Sequence, residues 1–138
     1  MSYRIRLSRS SFIIMAVAAS AGIAACGSDT DNVAPAVAAV ITTDAAHDNQ
    51  TGTVGLVLPD SIEVHVTTAT GAAVSGTTVT WTAATGGDTV NPTTSTTDVN
   101  GDARTSLTLG PTAGVNTVTA SIPSGATTTI TATGIDAP

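Results

Sequence analysis

The chain has no lysine, a single glutamate (Glu63), a single cysteine (Cys26) and three aromatic residues among its 138. Each scarcity excludes something. One cysteine cannot form a disulfide within the chain, so a fold must hold by packing alone. Of the four arginines, Arg4, Arg6 and Arg9 lie in the first ten residues and only Arg104 lies beyond them. Past residue 25 one arginine faces ten acids, a formal charge of −9. Such a surface repels a phosphate backbone and excludes nucleic acid as a partner. A paired-carboxylate hydrolase needs two facing acids in a cleft, and the acids here fall mainly in turns. Nucleophilic catalysis lacks its base, because His47 and His65 lie in segments with no evident pairing to a serine or threonine. The pair Gly86-Gly87 has neither the strand–helix context nor the lysine of a phosphate-cradling loop. The chain is therefore not expected to be an enzyme. No apolar run reaches the roughly 20 residues of a transmembrane helix.

What is present divides at residue 25. Arg4, Arg6 and Arg9 form a positive region ahead of the apolar run Phe12-Ile13-Ile14-Met15-Ala16-Val17-Ala18-Ala19, and small residues follow. This is the layout of a secretory signal peptide. Ile23-Ala24-Ala25-Cys26 resembles the bacterial lipobox, with Ile23 where leucine is commoner. The resemblance implies export by the Sec route, cleavage between Ala25 and Cys26, diacylglycerol on the Cys26 thiol and usually an acyl chain (palmitate-type) on the new amine. Two or three chains at about 0.8 kcal/mol per buried CH₂ hold firmly where one is marginal. Gly27, by analogy with enteric sorting rules, points to the outer membrane. Residues 26–35 read as the lipidated cysteine and a flexible, acidic tether, 36–135 as the domain, and 136–138 as a short tail.

From residue 36 the chain is rich in Thr, Val, Ala and Gly, which suits strands and turns rather than helices. Val37, Ala39 and Ile41 alternate with Ala38, Val40 and Thr42, predicting a first strand covered on both faces. Residues 44–52 read as a polar loop, and Val54, Leu56 and Leu58 as one face of a strand that Pro59 stops. Ile62, Val64 and Val66 point inward, with Glu63, His65 and Thr67 outward. Val79, Trp81 and Ala83 face the core, and Val90 returns to it. Asn100-Gly101, a dipeptide favoured in two-residue hairpins, predicts a hairpin over residues 95–110, its second strand with Ala103, Thr105, Leu107 and Leu109 inward. Val118, Ala120 and Ile122, then Thr128, Ile130 and Ala132, close the set. Seven to nine short strands with a turn about every ten residues predict an all-β, immunoglobulin-like Greek-key sandwich. Val64, Val79, Trp81, Leu107, Leu109 and Val118 are its expected core.

The segments Val74-Ser75-Gly76-Thr77-Thr78-Val79-Thr80-Trp81, Thr97-Asp98-Val99-Asn100-Gly101-Asp102-Ala103, Leu107-Thr108-Leu109-Gly110-Pro111-Thr112-Ala113-Gly114 and Asn116-Thr117-Val118-Thr119-Ala120 resemble the bacterial immunoglobulin-like domain of group 1, the repeat of intimin and invasin stalks. The resemblance runs from about residue 37 to 134. Thr70 and Ala73 stand where that family often has Asp and Pro. Many members are tandem arrays carrying an adhesive tip, and this chain has one copy, so adhesion is not simply inherited.

Three groups carry possible chemistry. Asp98, Asn100 and Asp102 have the alternating spacing that opens a calcium loop, but Gly101 falls at the fourth position rather than the sixth and no glutamate closes the loop. Asp44, His47 and Asp48 have metal-ligand chemistry, yet zinc usually needs three or four converging ligands, and a polar loop accounts for them. His65 is expected to be solvated. No metal and no cofactor beyond the lipid on Cys26 is expected. The expected function is that of an envelope lipoprotein with a non-catalytic structural or surface-binding role, acting through the loops at 44–52, 68–77, 86–93 and 110–114. A carbohydrate-binding module, or a subunit of an envelope assembly pairing through edge strands, are the alternatives.

Overall fold

The longer strands carry an apolar residue at every second position, because that spacing gives a sheet one buried face. The computed structural model describes residues 37–84 and 86–138. The expected signal peptide, Cys26 and the tether lie outside them. Nine strands are described: β1 (Val40–Thr43), β2 (Gln50–Thr53), β3 (Ile62–Thr67), β4 (Thr78–Ala83), β5 (Thr89–Asn91), β6 (Thr94–Thr96), β7 (Asp102–Thr108), β8 (Gly114–Ser121) and β9 (Thr127–Ile135). One sheet has the order β1-β3-β7-β5 and the other β2-β9-β8-β4-β6. The chain changes sheet at every connection from β1 to β8, and only β8 and β9 follow one another within one sheet, giving the Greek-key sandwich that the turn spacing predicts.

The inner faces interlock. Val64 and Val66 on β3 and Leu107 on β7 meet Val79 and Trp81 on β4, Val118 and Ala120 on β8 and Ile130 on β9 in one buried cluster. Burial of this kind contributes about 25 cal/mol per Å² of apolar surface removed from water. Polar side chains inside it are satisfied. The Thr105 hydroxyl donates to the Pro92 carbonyl (2.7 Å), and Thr97 accepts from the Thr77 amide (2.9 Å) while donating to the Val74 carbonyl (2.7 Å).

Three local expectations are corrected. The first strand begins only at Val40, and Val37 and Val40 are exposed. β1 is a sheet edge paired to β3 alone, and nothing covers its outer face among the described residues. The strand expected at 54–58 is a crossover instead. The paired strand is β2, inside the expected loop, lying parallel to β9 with Gln50 opposite Ala132. After Thr53 the chain turns at Gly55 (φ 75°) and reaches the other sheet, where the Leu58 amide donates to the Leu107 carbonyl (2.8 Å). Leu58 is buried, whereas Leu56 and Val57 are exposed. Gly52 makes this possible: a Cβ there would lie 2.8 Å from Leu58 Cδ2.

The third correction concerns Asn100-Gly101. β6 pairs with β4 in the five-stranded sheet and β7 with β3 and β5 in the four-stranded one. The turn thus transfers the chain between layers and does not close a hairpin. Gly101 has φ 85° but Asn100 is not in the left-handed region, so the type I′ geometry of a two-residue hairpin is not adopted.

Candidate functional site

The register of β3 on β7 places Glu63 opposite Arg104 and His65 opposite Asp102. Side chains directly opposite on one face are within reach of each other, and both pairs form. Arg104 grips Glu63 with two hydrogen bonds, Nε to Oε2 at 2.6 Å and Nη2 to Oε1 at 3.1 Å. His65 Nδ1 lies 2.7 Å from Asp102 Oδ1. His65, expected to be without a partner, therefore has one, supplied by the neighbouring strand rather than by anything near it in sequence. Glu63, expected to point outward, does so, yet it is only 4% exposed. Arg104 and the 44–48 loop cover it. That contact raises the Arg104 guanidinium above its ordinary range, first through the hydrogen bond to Glu63 and then through its charge.

The loop before β2 completes this row. Asp44 Oδ1 accepts from the Ala46 amide (2.9 Å) and its carbonyl from the His47 amide (3.0 Å), a local turn that brings the imidazole back over the strand. His47 Nδ1 then lies 3.3 Å from Asp44 Oδ2 and 3.6 Å from Glu63 Oε2. The Ala46 amide holds Asp44 below the usual carboxylate range. Asp48, grouped with His47 by sequence spacing, is engaged elsewhere: its Oδ1 accepts from the Thr131 amide (2.7 Å) and the Asn49 amide (2.8 Å), tying the loop to β9. The structure thus replaces Asp48 with Glu63. One signal for this was present, since Glu63 and Arg104 are the only glutamate and the only arginine beyond the leader.

The calcium spacing at Asp98, Asn100 and Asp102 resolves differently. Asp98 Oδ1 accepts from the Asn100 amide (2.8 Å) and the Asp102 amide (3.1 Å), and Asp102 is taken by His65. The Asp102 amide, then that of Asn100, pulls Asp98 below the ordinary carboxylate range. A depressed folded value stabilises the native state above the ordinary carboxylate range, and that gain is lost as pH falls through it. Asp98→Ala is expected to lower the urea midpoint at neutral pH, with the gap to the wild type closing in acid. A gap of constant size across that range would contradict the turn's dependence on the ionised carboxylate.

Trp81, only 2% exposed, donates its indole N–H to Ser95 Oγ (2.8 Å) and presents no face to solvent. Of the other watched loops, 68–77 tucks Val74 into the core, its amide donating to the Val66 carbonyl (3.0 Å). In 86–93, buried Asp88 accepts from the Gly110 amide (2.6 Å), which also anchors the start of 110–114.

The sequence profile of the bacterial Ig-like domain (group 1) family matches residues 59–135. No curated protein sequence matches the chain significantly. Among solved structures, invasin, described as a bacterial integrin-binding protein, is similar at a TM-score of 0.56 and 26% identity, over 71% of this chain and 19% of invasin. A 282-residue C-terminal fragment of intimin, solved with the intimin-binding domain of its translocated receptor, is similar at 0.53 and 25%, over 72% of this chain and 33% of the fragment. The Yersinia pseudotuberculosis adhesin InvE shares the fold at 0.54 and 19% identity, over 69% and 31%. The chain spans no more than about a third of the length of these three. By the extent of the profile match, the chain belongs to the bacterial Ig-like domain (group 1) family.

Proposed function

We propose that the protein is a cell-envelope lipoprotein in which residues 1–25 direct export, Cys26 carries the lipid, residues 27–35 form a tether, and the Ig-like module acts without catalysis by recognising a protein surface. Membership of a family whose structural relatives are adhesin domains carries this reading. The anchor rests on the sole cysteine standing where the lipobox pattern requires it. Gly27 supports the outer membrane. A protein partner is favoured over a sugar because Trp81, the one aromatic side chain of the module, is buried and hydrogen-bonded and cannot stack on a ring. Assembly through sheet edges has little to work with. The edge strands β1, β2, β5 and β6 are three or four residues long, short templates for pairing.

The anchor is tested by expressing the full chain in a Gram-negative host. The wild type is expected to fractionate with membranes and to give an N-terminal peptide bearing diacylglycerol on Cys26 by mass spectrometry, while Cys26→Ser is released into the soluble fraction. An unmodified N-terminus, or equal fractionation of the two, would overturn it.

A further inference from the structure

The row Asp44–His47–Glu63 has no part in the proposed recognition, and its geometry points to a separate property. We propose that Asp44 Oδ2, His47 Nδ1 and Glu63 Oε2 form a binding site for a divalent transition-metal cation, with zinc the best match. One imidazole and two carboxylates form a donor set that zinc accepts, with water in the fourth position.

Geometry and satisfaction of bonds both support this. A tetrahedral ion with ligand bonds of about 2.0–2.2 Å sets its donor atoms roughly 3.3–3.6 Å apart. The imidazole nitrogen lies 3.3 Å from one carboxylate oxygen and 3.6 Å from the other, and all three donors fall within 4.8 Å of one another. His47 Nδ1 is also shielded from solvent and makes no hydrogen bond. A buried polar atom left unpaired between two oxygens is costly, and a cation seated there would remove that cost. With the ring proton on Nε2, the Nδ1 lone pair faces both carboxylates.

The outer contacts suit the role, since metal ligands are normally held by second partners. Asp44 is fixed through its other oxygen by the Ala46 amide, leaving Oδ2 to bind. Glu63 is held in place by Arg104, and each carboxylate oxygen has two lone pairs, so the guanidinium leaves one on Oε2 for a cation. The positive charge of Arg104 beside the site lowers its affinity. The half-exposed carboxylate of Asp44 leaves the outer side open to water and to entry of the ion. Hard cations such as calcium, which take six to eight oxygens, are a poor match for three donors of which one is nitrogen.

The competing account is that a protonated His47 bridges the two acids with nothing bound. Zinc chloride titrated into the lipidated protein in detergent, after chelator treatment, separates the two. Calorimetry should give one zinc per chain, with a rise in Tm of several degrees at saturation, reversed by chelator and not reproduced by calcium. His47→Ala and Asp44→Asn, each compared with its own metal-free unfolding transition, should lose zinc binding at least tenfold, whereas His65→Ala keeps it. Absence of a zinc response at near-millimolar concentration, or equal zinc binding by His47→Ala, would overturn the site.

Discussion

Replacing Trp81 with alanine is expected to cost about 3–5 kcal/mol through lost burial and the cavity left behind, a large share of the roughly 5–15 kcal/mol typical of a folded domain. The estimate belongs at the upper end because of what surrounds the indole. Trp81 lies on β4, opposite Ala120 of β8, and the remaining core is built of valine, leucine, isoleucine and alanine. No second large side chain is available to swing into the hole. The change also strips Ser95 Oγ of its donor. Trp81→Phe separates the contributions: it keeps most of the apolar contact and loses the hydrogen bond, worth about 1 kcal/mol. Urea unfolding followed by far-ultraviolet circular dichroism should place the alanine variant far below the phenylalanine variant, with the wild type above both. Coincident midpoints for Trp81→Ala and the wild type would mean that the residue does not plug the sandwich.

The positions legible in advance were those where one physical rule acts alone. Val64, Val79, Trp81, Leu107 and Val118 each sit at every second position of a strand, and alternation dictates burial there regardless of which strand lies alongside. The family resemblance was legible for the same reason, being carried by strand cores and turn glycines. Pairing partners were not legible. Gln50-Thr51-Gly52-Thr53 has no apolar face and reads as loop, yet it pairs with β9 because Gly52 lets Leu58 pass close beneath it. Val54, Leu56 and Leu58 alternate as a strand should, but a crossover between sheets leaves Leu56 in water. Tertiary context overrode local pattern in both segments.

The ionic row was half legible for a related reason. Spacing along the chain groups Asp44, His47 and Asp48, whereas space groups Asp44, His47 and Glu63, because Asp48 is drawn to the Thr131 amide. Only the β3–β7 register brings Glu63 to Arg104 and Asp102 to His65, and register between strands some 40 residues apart depends on the whole sandwich closing. Asn100-Gly101 shows the limit of a strong local signal. Its letters suit a hairpin, but residues 94–96 pair with β4 and residues 102–108 with β3 and β5, in opposite sheets.

That transfer between sheets makes Gly101 the second position of large expected effect. Its φ of 85° disfavours any side chain by about 1–2 kcal/mol, but the greater obstacle is space. A Cβ would stand 2.5 Å from the Val66 carbonyl oxygen and 3.3 Å from the Val74 nitrogen. The same carbonyl accepts from the Val74 amide (3.0 Å), while the Val66 amide donates to the Gly101 carbonyl (2.8 Å). The two nearest atoms are backbone and the third, Ala73 Cβ at 3.4 Å, has no rotamer to change, so the end of β3 must shift. Gly101→Ala is therefore expected to cost on the order of 2–4 kcal/mol, combining the φ penalty with overpacking. Gly71 provides the control. Its φ of 88° is nearly the same, but nothing lies within 4 Å of a Cβ there, so Gly71→Ala should show the φ penalty alone. If the two variants unfold at the same urea concentration, the close approach of Val66 to the turn is not what requires glycine at 101. If Gly101→Ala falls well below Gly71→Ala, with the Val66 and Val74 amides exchanging faster, the close packing of the turn on β3 and the 68–74 segment is what requires glycine at 101.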